Sequence, residues 1–511
     1  MRTDRFTLTK KTGTYADALA AMGLGRMLFR LTHEHPMVRD EGAAYVCTLS
    51  QEYVLDALDY TSLHGDPGYP YMLLKPPDEA APSSGFIDYT GEREKLKIWR
   101  ERRETLRKAH GGRLTKEDEE ELKNVEPMRG WYLYQNLNVL QAYNSYNAVH
   151  SAIRCSDPVA FAESVCAKLV ALAIERDPAD VATPFVPKVA AVQAFNPAVG
   201  KGINRPKPDG PALGSLPGSF VDWFEEWLRY IGVHLAANSL SVGDKGDDIK
   251  LFVMAPANLD ESEAQGVRDS FVGLRLPWTP AKIDILGALG LAKILIERSG
   301  LLEDAGGSRL GALISRTPRD VVGGLQSAYF TSLGSARALT NTSFIGLPGW
   351  FPVNTASVND WLGILEEHEN VIRALDEERS EQASLLVSYR NFLSAGERGI
   401  GPLLSFLASY AGYVMRARDR KHYAPQFTVT NLGRLLERMS STNGKPLRPI
   451  LDDEGFKHIA AAIRRATVTE QFYNSRGQQQ YEIHYGLFQD LERKARFRDQ
   501  FVAALSAFIT D

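Results

Sequence analysis

The sequence predicts an α+β protein: a mixed α/β N-terminal body followed by a C-terminal α-helical bundle. Three observations predict it. Short β-branched or aromatic runs closed by Gly, Pro, Asn or Asp recur before about residue 260. From about Ser357 onward, helical segments follow one another and strand patterns are nearly absent. Between the two regions, Gly346, Pro348, Gly349 and Pro352 mark a linker. The expected boundaries are a body over 1–345, a linker over 346–356 and a bundle over 357–511.

In order, Tyr15 to Leu31 has helical spacing, and Ala43 to Leu49 and Tyr71 to Lys75 read as strands. Residues 91–126 are charge-dense. A basic stretch from Glu92 to Lys108 meets a Gly111-Gly112 break, and Thr115-Lys116-Glu117-Asp118 opens an acidic helix. The favoured reading is a solvated helical hairpin with internal ion pairs; an arm that tracks a phosphate backbone is the alternative. Residues 131–176 are helical, and their aromatics (Trp131, Tyr132, Tyr134, Tyr143, Tyr146) are assigned to packing.

Val189 to Phe195 reads as a strand, and Phe220 to Ile231 as an amphipathic helix. Val233 to Val242 and Ile249 to Ala255 read as two strands joined by a hairpin turn. Residues 280–345 read as Gly- and Ala-rich with helical spacing, and Thr340 to Pro352 as linker. The bundle helices are expected at 357–378, 381–394, 401–417, 429–440, 453–467 and 484–509.

The totals exclude several classes. A length of 511 residues allows about three domains on the usual length prior. A net charge of −4 argues against a protein that coats polyanions in bulk, so nucleic-acid contact must come from local basic patches. Cys47, Cys155 and Cys166 form neither a disulfide framework nor a metal knuckle, which favours a reducing cytoplasm. The start, Met1-Arg2-Thr3-Asp4-Arg5, is not a signal peptide. The best apolar stretch, Ile283 to Ile296, is broken by Asp284 and Lys293, so no membrane span is expected.

The most distinctive segment runs from Asn196 to Lys207. Gly200 and Gly202 let a polyanion approach the main chain, Lys201, Arg205 and Lys207 supply charge, and Asn196 and Asn204 supply amides. Such a loop can grip phosphates or probe base edges; the plainer reading is a surface connection. It is not a P-loop, because the spacing is wrong and Gly202 follows the lysine.

Elsewhere, Gly246-Asp247-Asp248 resembles the paired aspartates that hold Mg2+ in palm domains, but a charged hairpin tip needs no further carboxylate. His33-Glu34-His35 has no evident third ligand, so a surface or cap role is assigned. No catalytic or metal-binding constellation is expected, and no cofactor. In the bundle, Arg464, Arg465, Arg493, Arg496 and Arg498 stand out as a basic set, with Arg416, Arg418, Arg420 and Lys421 upstream.

The segment Phe456-Lys457-His458-Ile459-Ala460-Ala461-Ala462-Ile463-Arg464-Arg465-Ala466-Thr467, the later Tyr485-Gly486-Leu487-Phe488-Gln489-Asp490-Leu491-Glu492-Arg493 and the Asn196–Lys207 loop together resemble the large subunit of the type I CRISPR Cascade complex. The likeness covers most of the chain loosely and these regions best. It implies a protein that is not an enzyme. Its N-terminal body would read a short protospacer-adjacent motif in double-stranded DNA through Asn196, Lys201, Asn204, Arg205 and Lys207, and part the strands. The bundle, resembling a Cascade small subunit, would hold the displaced single strand on Arg464, Arg465, Arg493, Arg496 and Arg498. The implied partners are guide RNA (crRNA), the other Cascade subunits and a helicase-nuclease, with no membrane. The alternatives are a palm-type nucleotidyl transferase or cyclase using Asp247 and Asp248, and a helical adaptor that binds only protein.

Overall fold

The computed structural model describes all residues except 76–81, 83, 113, 141, 200–220, 244–247, 278, 305–316, 333–336, 350–357, 396–398, 443–447, 465–489, 492, 496 and 511. The chain is α+β and divides into two compact units, one holding Met1–Pro348 with Pro352–Thr355 and the other Gly349–Phe351 with Ala356–Asp511.

The first unit contains strands β1 (Arg2–Thr9), β2 (Met37–Asp40), β3 (Ala44–Val54), β4 (Tyr71–Leu73), β5 (Phe86–Asp88), β6 (Ala237–Val242), β7 (Asp248–Pro256), β8 (Asn258–Asp260), β9 (Val322–Ser332) and β10 (Arg337–Gly346). Its helices are α1 (Tyr15–Thr32), α2 (Thr61–Gly65), α3 (Tyr89–Ala109), α4 (Lys116–Lys123), α5 (Trp131–Val139), α6 (Tyr143–Arg154), α7 (Pro158–Ala173), α8 (Trp223–Ala236), α9 (Glu261–Val272), α10 (Pro280–Asp304) and α11 (Pro318–Val321). Two antiparallel sheets form, in the orders β1-β3-β2-β8 and β10-β9-β7-β6, with β4 and β5 as a parallel pair.

Helix α1 begins where Thr14 caps the Ala16 N–H and ends at His33, whose φ of 58° closes the helix through its N–H to the Phe29 carbonyl. His33 is therefore a cap, while His35 stacks on Phe29 and contacts Glu261 through Nδ1 at 2.6 Å. Helix α1 is buried along nearly its whole length because it packs directly on α8. The crossing is a reciprocal glycine contact. A Cβ on Gly23 would stand 1.9 Å from the Leu228 carbonyl oxygen, and one on Gly232 would stand 1.8 Å from that of Leu19. Only hydrogen at both positions lets the backbones come this close. Trp131, Tyr134 and Tyr146 are core residues, and the Tyr146 hydroxyl meets His234 Nε2 at 3.0 Å. Asp284, which interrupts the apolar run of α10, is buried against Lys250 of β7 at 2.7 Å.

Three readings of this unit are corrected. Val189 to Phe195 is not a strand: its residues alternate in burial but join no sheet among the described residues, and the chain closes a turn with Phe195 and Asn196 N–H on the Val192 carbonyl. Residues 233–236 continue α8 rather than opening a strand. Val322–Ser332 and Arg337–Gly346 form β9 and β10, not helix and linker. Hydroxyl side chains pair across the ladder, with Ser327 on Ser343 at 2.8 Å and Thr331 on Thr340 at 2.9 Å.

The second unit is helical: α12 (Val358–Ala374), α13 (Ser380–Ser394), α14 (Ile400–Asp419), α15 (Val429–Thr442), α16 (Arg448–Asp452), α17 (Glu454–Arg464) and a last helix, Arg498–Thr510. Tyr389, Phe392 and Phe427 pack against His368, whose Nδ1 meets the Tyr389 hydroxyl at 2.7 Å, and Phe406 and Tyr410 extend the aromatic cluster. Among the described residues, no helix is long and apolar enough to cross a membrane.

Candidate nucleic-acid interface

Lys201, Asn204, Arg205 and Lys207 lie outside the described residues; the two feet of their segment, Asn196 and Asp222, do not. Asn196 is fully buried, and its Nδ2 donates to Glu226 Oε1 at 2.7 Å. Asp222 is the N-cap of α8, accepting the Phe224 and Glu225 N–H groups, and it pairs with buried Lys168 at 3.0 Å. Glu226 is four residues past Asp222, so both feet are tied within one helical turn at the start of α8. Asn196 is thereby corrected. Its amide serves the interior rather than a base edge, because exposing it would take from buried Glu226 one of its donors, beside Arg229.

The tie is part of a buried charged network. Arg229 Nη1 reaches Glu226 Oε1 at 2.5 Å, and its Nη2 reaches Glu225 Oε2 at 3.2 Å. Glu225 also pairs with Lys11 at 2.6 Å, and Lys11 with Asp177 at 2.6 Å. Burial pushes the Glu225 and Glu226 carboxyls up, against the pull of Arg229. Arg229, flanked by both, stays charged, its pKa raised by the two carboxylates over the cost of burial. Buried charge of this kind holds only while every partner is in place.

In the helical unit, Arg465 and Arg496 lie outside the described residues, as does the side chain of Arg464 at the end of α17. Arg493 is exposed and pairs with Asp490 at 2.7 Å; Lys494 takes the other oxygen of the same carboxylate at 2.5 Å. Two cations thus share one carboxylate. Arg498 opens the last helix and is exposed, beside Phe497, which is 59% exposed.

A second basic cluster, the upstream set of the bundle, lies at the end of α14. Arg416 is committed to Glu381, but Arg418, Arg420 and Lys421 are exposed. Lys421 adopts a φ of 59°, and the Lys421 and His422 N–H groups close the helix on the Arg418 and Ala417 carbonyls. This reversal delivers Tyr423 to the surface at 88% exposure. Exposed cations close in the chain to a bare aromatic ring suit an unpaired strand, whose bases stack while its phosphates meet the charges. The visible signal was the run Arg416-Ala417-Arg418-Asp419-Arg420-Lys421-His422-Tyr423; that the tyrosine faces solvent depends on the turn.

Asp247 lies outside the described residues. Asp248 is committed to the protein, accepting the Tyr329 hydroxyl at 2.7 Å and the Ser332 N–H at 2.8 Å. Among the described residues, no group of three His, Cys, Asp or Glu side chains could hold a metal ion. No family model matches the chain, and no curated protein matches it.

Proposed function

We propose that this chain is a non-catalytic large subunit of an RNA-guided DNA-targeting complex of the type I Cascade kind, acting in the cytoplasm with guide RNA, companion subunits and a recruited helicase-nuclease. In this reading the body meets the protospacer-adjacent motif in duplex DNA through Lys201, Asn204, Arg205 and Lys207. Asn196 anchors that segment instead of reading sequence. The helical unit holds the displaced strand.

The observation that carries the reading is the α14 terminus, where Arg418, Arg420, Lys421 and Tyr423 stand exposed within six residues of chain. Stacking on one ring contributes about 1–3 kcal/mol per base, and the cations add a salt-dependent share. The committed carboxylate of Asp248 lends no support to the palm-type alternative.

The test is reconstitution with guide RNA and partner subunits, followed by titration with a target duplex. Lys201→Ala with Arg205→Ala should abolish motif-dependent capture. Tyr423→Ala with Lys421→Ala should weaken retention of the displaced strand. Mg2+-dependent nucleotide turnover that is lost in Asp247→Ala would replace this reading with the enzymatic one.

A further inference from the structure

Helix α3 carries a feature that the proposed function does not use. Its cations are not equivalent. On one flank and along the outer face they are neutralised: Lys95 by Glu92 at 2.6 Å, Lys97 by Glu94 at 3.6 Å, Lys108 by Glu104 at 3.5 Å, and Arg102 by Glu121 of the acidic helix α4. Helix α4 is itself anchored by the His110–Asp118 contact at 2.8 Å.

Arg93, Arg100 and Arg107 differ. They recur every seventh residue, so they keep to one face with a drift of about 20° per step. Arg100 is about 200° around the helix from Arg102, which places the three on the flank away from α4. All three are exposed, and none makes a carboxylate contact among the described residues; Arg107 offers only its Nε, to the Gly112 carbonyl at 3.4 Å. At 1.5 Å per residue the stripe is about 21 Å long.

We infer that this stripe is a binding site for the phosphodiester backbone of a nucleic-acid duplex. Guanidinium groups match phosphate oxygens in a bidentate way, and three in a row span well over half a turn of duplex, about 34 Å. The flank lacks what an unpaired strand requires. Trp99 is half-buried and covered by Arg103, with 5.3 Å from guanidinium to ring centroid. Ile98, the large apolar residue of α3 that is exposed, points to the opposite side. Charge without a stacking platform fits paired strands, whose bases are already stacked. The inference stands apart from the proposed function, since it requires only a duplex.

The experiment titrates the full chain with fluorescent 30-base-pair duplex DNA, duplex RNA and a single strand across 50–200 mM salt. In R93A/R100A/R107A the slope of log affinity against log salt for a duplex should fall by about 2.7, from about 0.9 per phosphate contact. The salt-induced loss over that range then shrinks about 40-fold. Loss in the DNA arm, the RNA arm or both identifies the backbone taken. R93K/R100K/R107K should keep the slope, and K95A/K108A, which removes only neutralised cations, should not change it. The inference is overturned if the triple alanine variant, folded by circular dichroism, keeps the wild-type slope with both duplexes. It is equally overturned if the single strand loses as much as the duplex, or if K95A/K108A matches the triple variant.

Discussion

Arg229→Met is the sharpest probe of the network that ties Asn196 and Asp222 to α8. The methionine retains much of the side-chain volume but removes the charge facing Glu225 and Glu226, both at least 98% buried. Glu225 keeps Lys11, whereas Glu226 keeps the neutral Asn196 amide. Leaving one member of a buried ion pair uncompensated costs about 3–5 kcal/mol. Urea denaturation followed by tryptophan fluorescence reads the change directly, because Trp223 and Trp227 lie on the same helix. With a slope of about 2 kcal/mol per molar urea, the midpoint should drop by about 1.5–2.5 M.

The cost must also depend on pH. Burial already raises the Glu226 carboxyl above its ordinary value, and losing Arg229 raises it further. A group whose folded pKa is raised loses stability as pH climbs from the unfolded value through the folded one. The penalty of the variant relative to wild type should therefore be full at pH 7 and shrink on acidification toward 4.5. A penalty below about 1 kcal/mol, or one that does not change with pH, would refute the account of the network.

Gly23→Ala and Gly232→Ala should each destabilise by about 3 kcal/mol or more, since the added methyl meets backbone that cannot swing aside. Gly363→Ala in α12, with open space around it, should instead stabilise by about 0.5–1 kcal/mol, and thermal melts compare the three. Burial lowers His234 and His368 to about 3, so the unfolded chain takes up protons that the folded chain refuses as pH falls below 6.5. Each should withdraw about 2 kcal/mol of stability between pH 7 and pH 5, one in each unit, and urea midpoints that do not change with pH would contradict this. Tyr423→Ala should leave the melting temperature unchanged and cut affinity for an oligothymidine strand by about 5- to 150-fold per stacked base, measured by anisotropy.

Local signals were legible wherever one element satisfied its own requirements. Helix α1 runs from its Thr14 cap to its close at His33 almost where apolar spacing places it, and the antiparallel β6–β7 pair follows from its turn residues. The succession of helices after Val358 is likewise written in local periodicity. Strands β9 and β10 were missed because their glycines and alanines obscured the alternation that pairing makes meaningful. Gly324 is a glycine because a Cβ there would stand 2.4 Å from the Ile345 carbonyl oxygen, a fact about the partner strand. Asn196 was assigned to DNA because an amide beside glycines and cations has the right chemistry; nothing nearby in the chain announces Glu226.

By itself, then, the amino-acid order determined the α+β class, the long helices and the placing of positive charge. Those depend on residues within a few positions of one another. Which charges remain available was decided only in three dimensions. Arg102 and Arg100 are two residues apart, yet one is spent on Glu121 and the other faces solvent. Neutralisation acts through contacts of a few ångströms, and folding brings such neighbours together regardless of their distance along the chain.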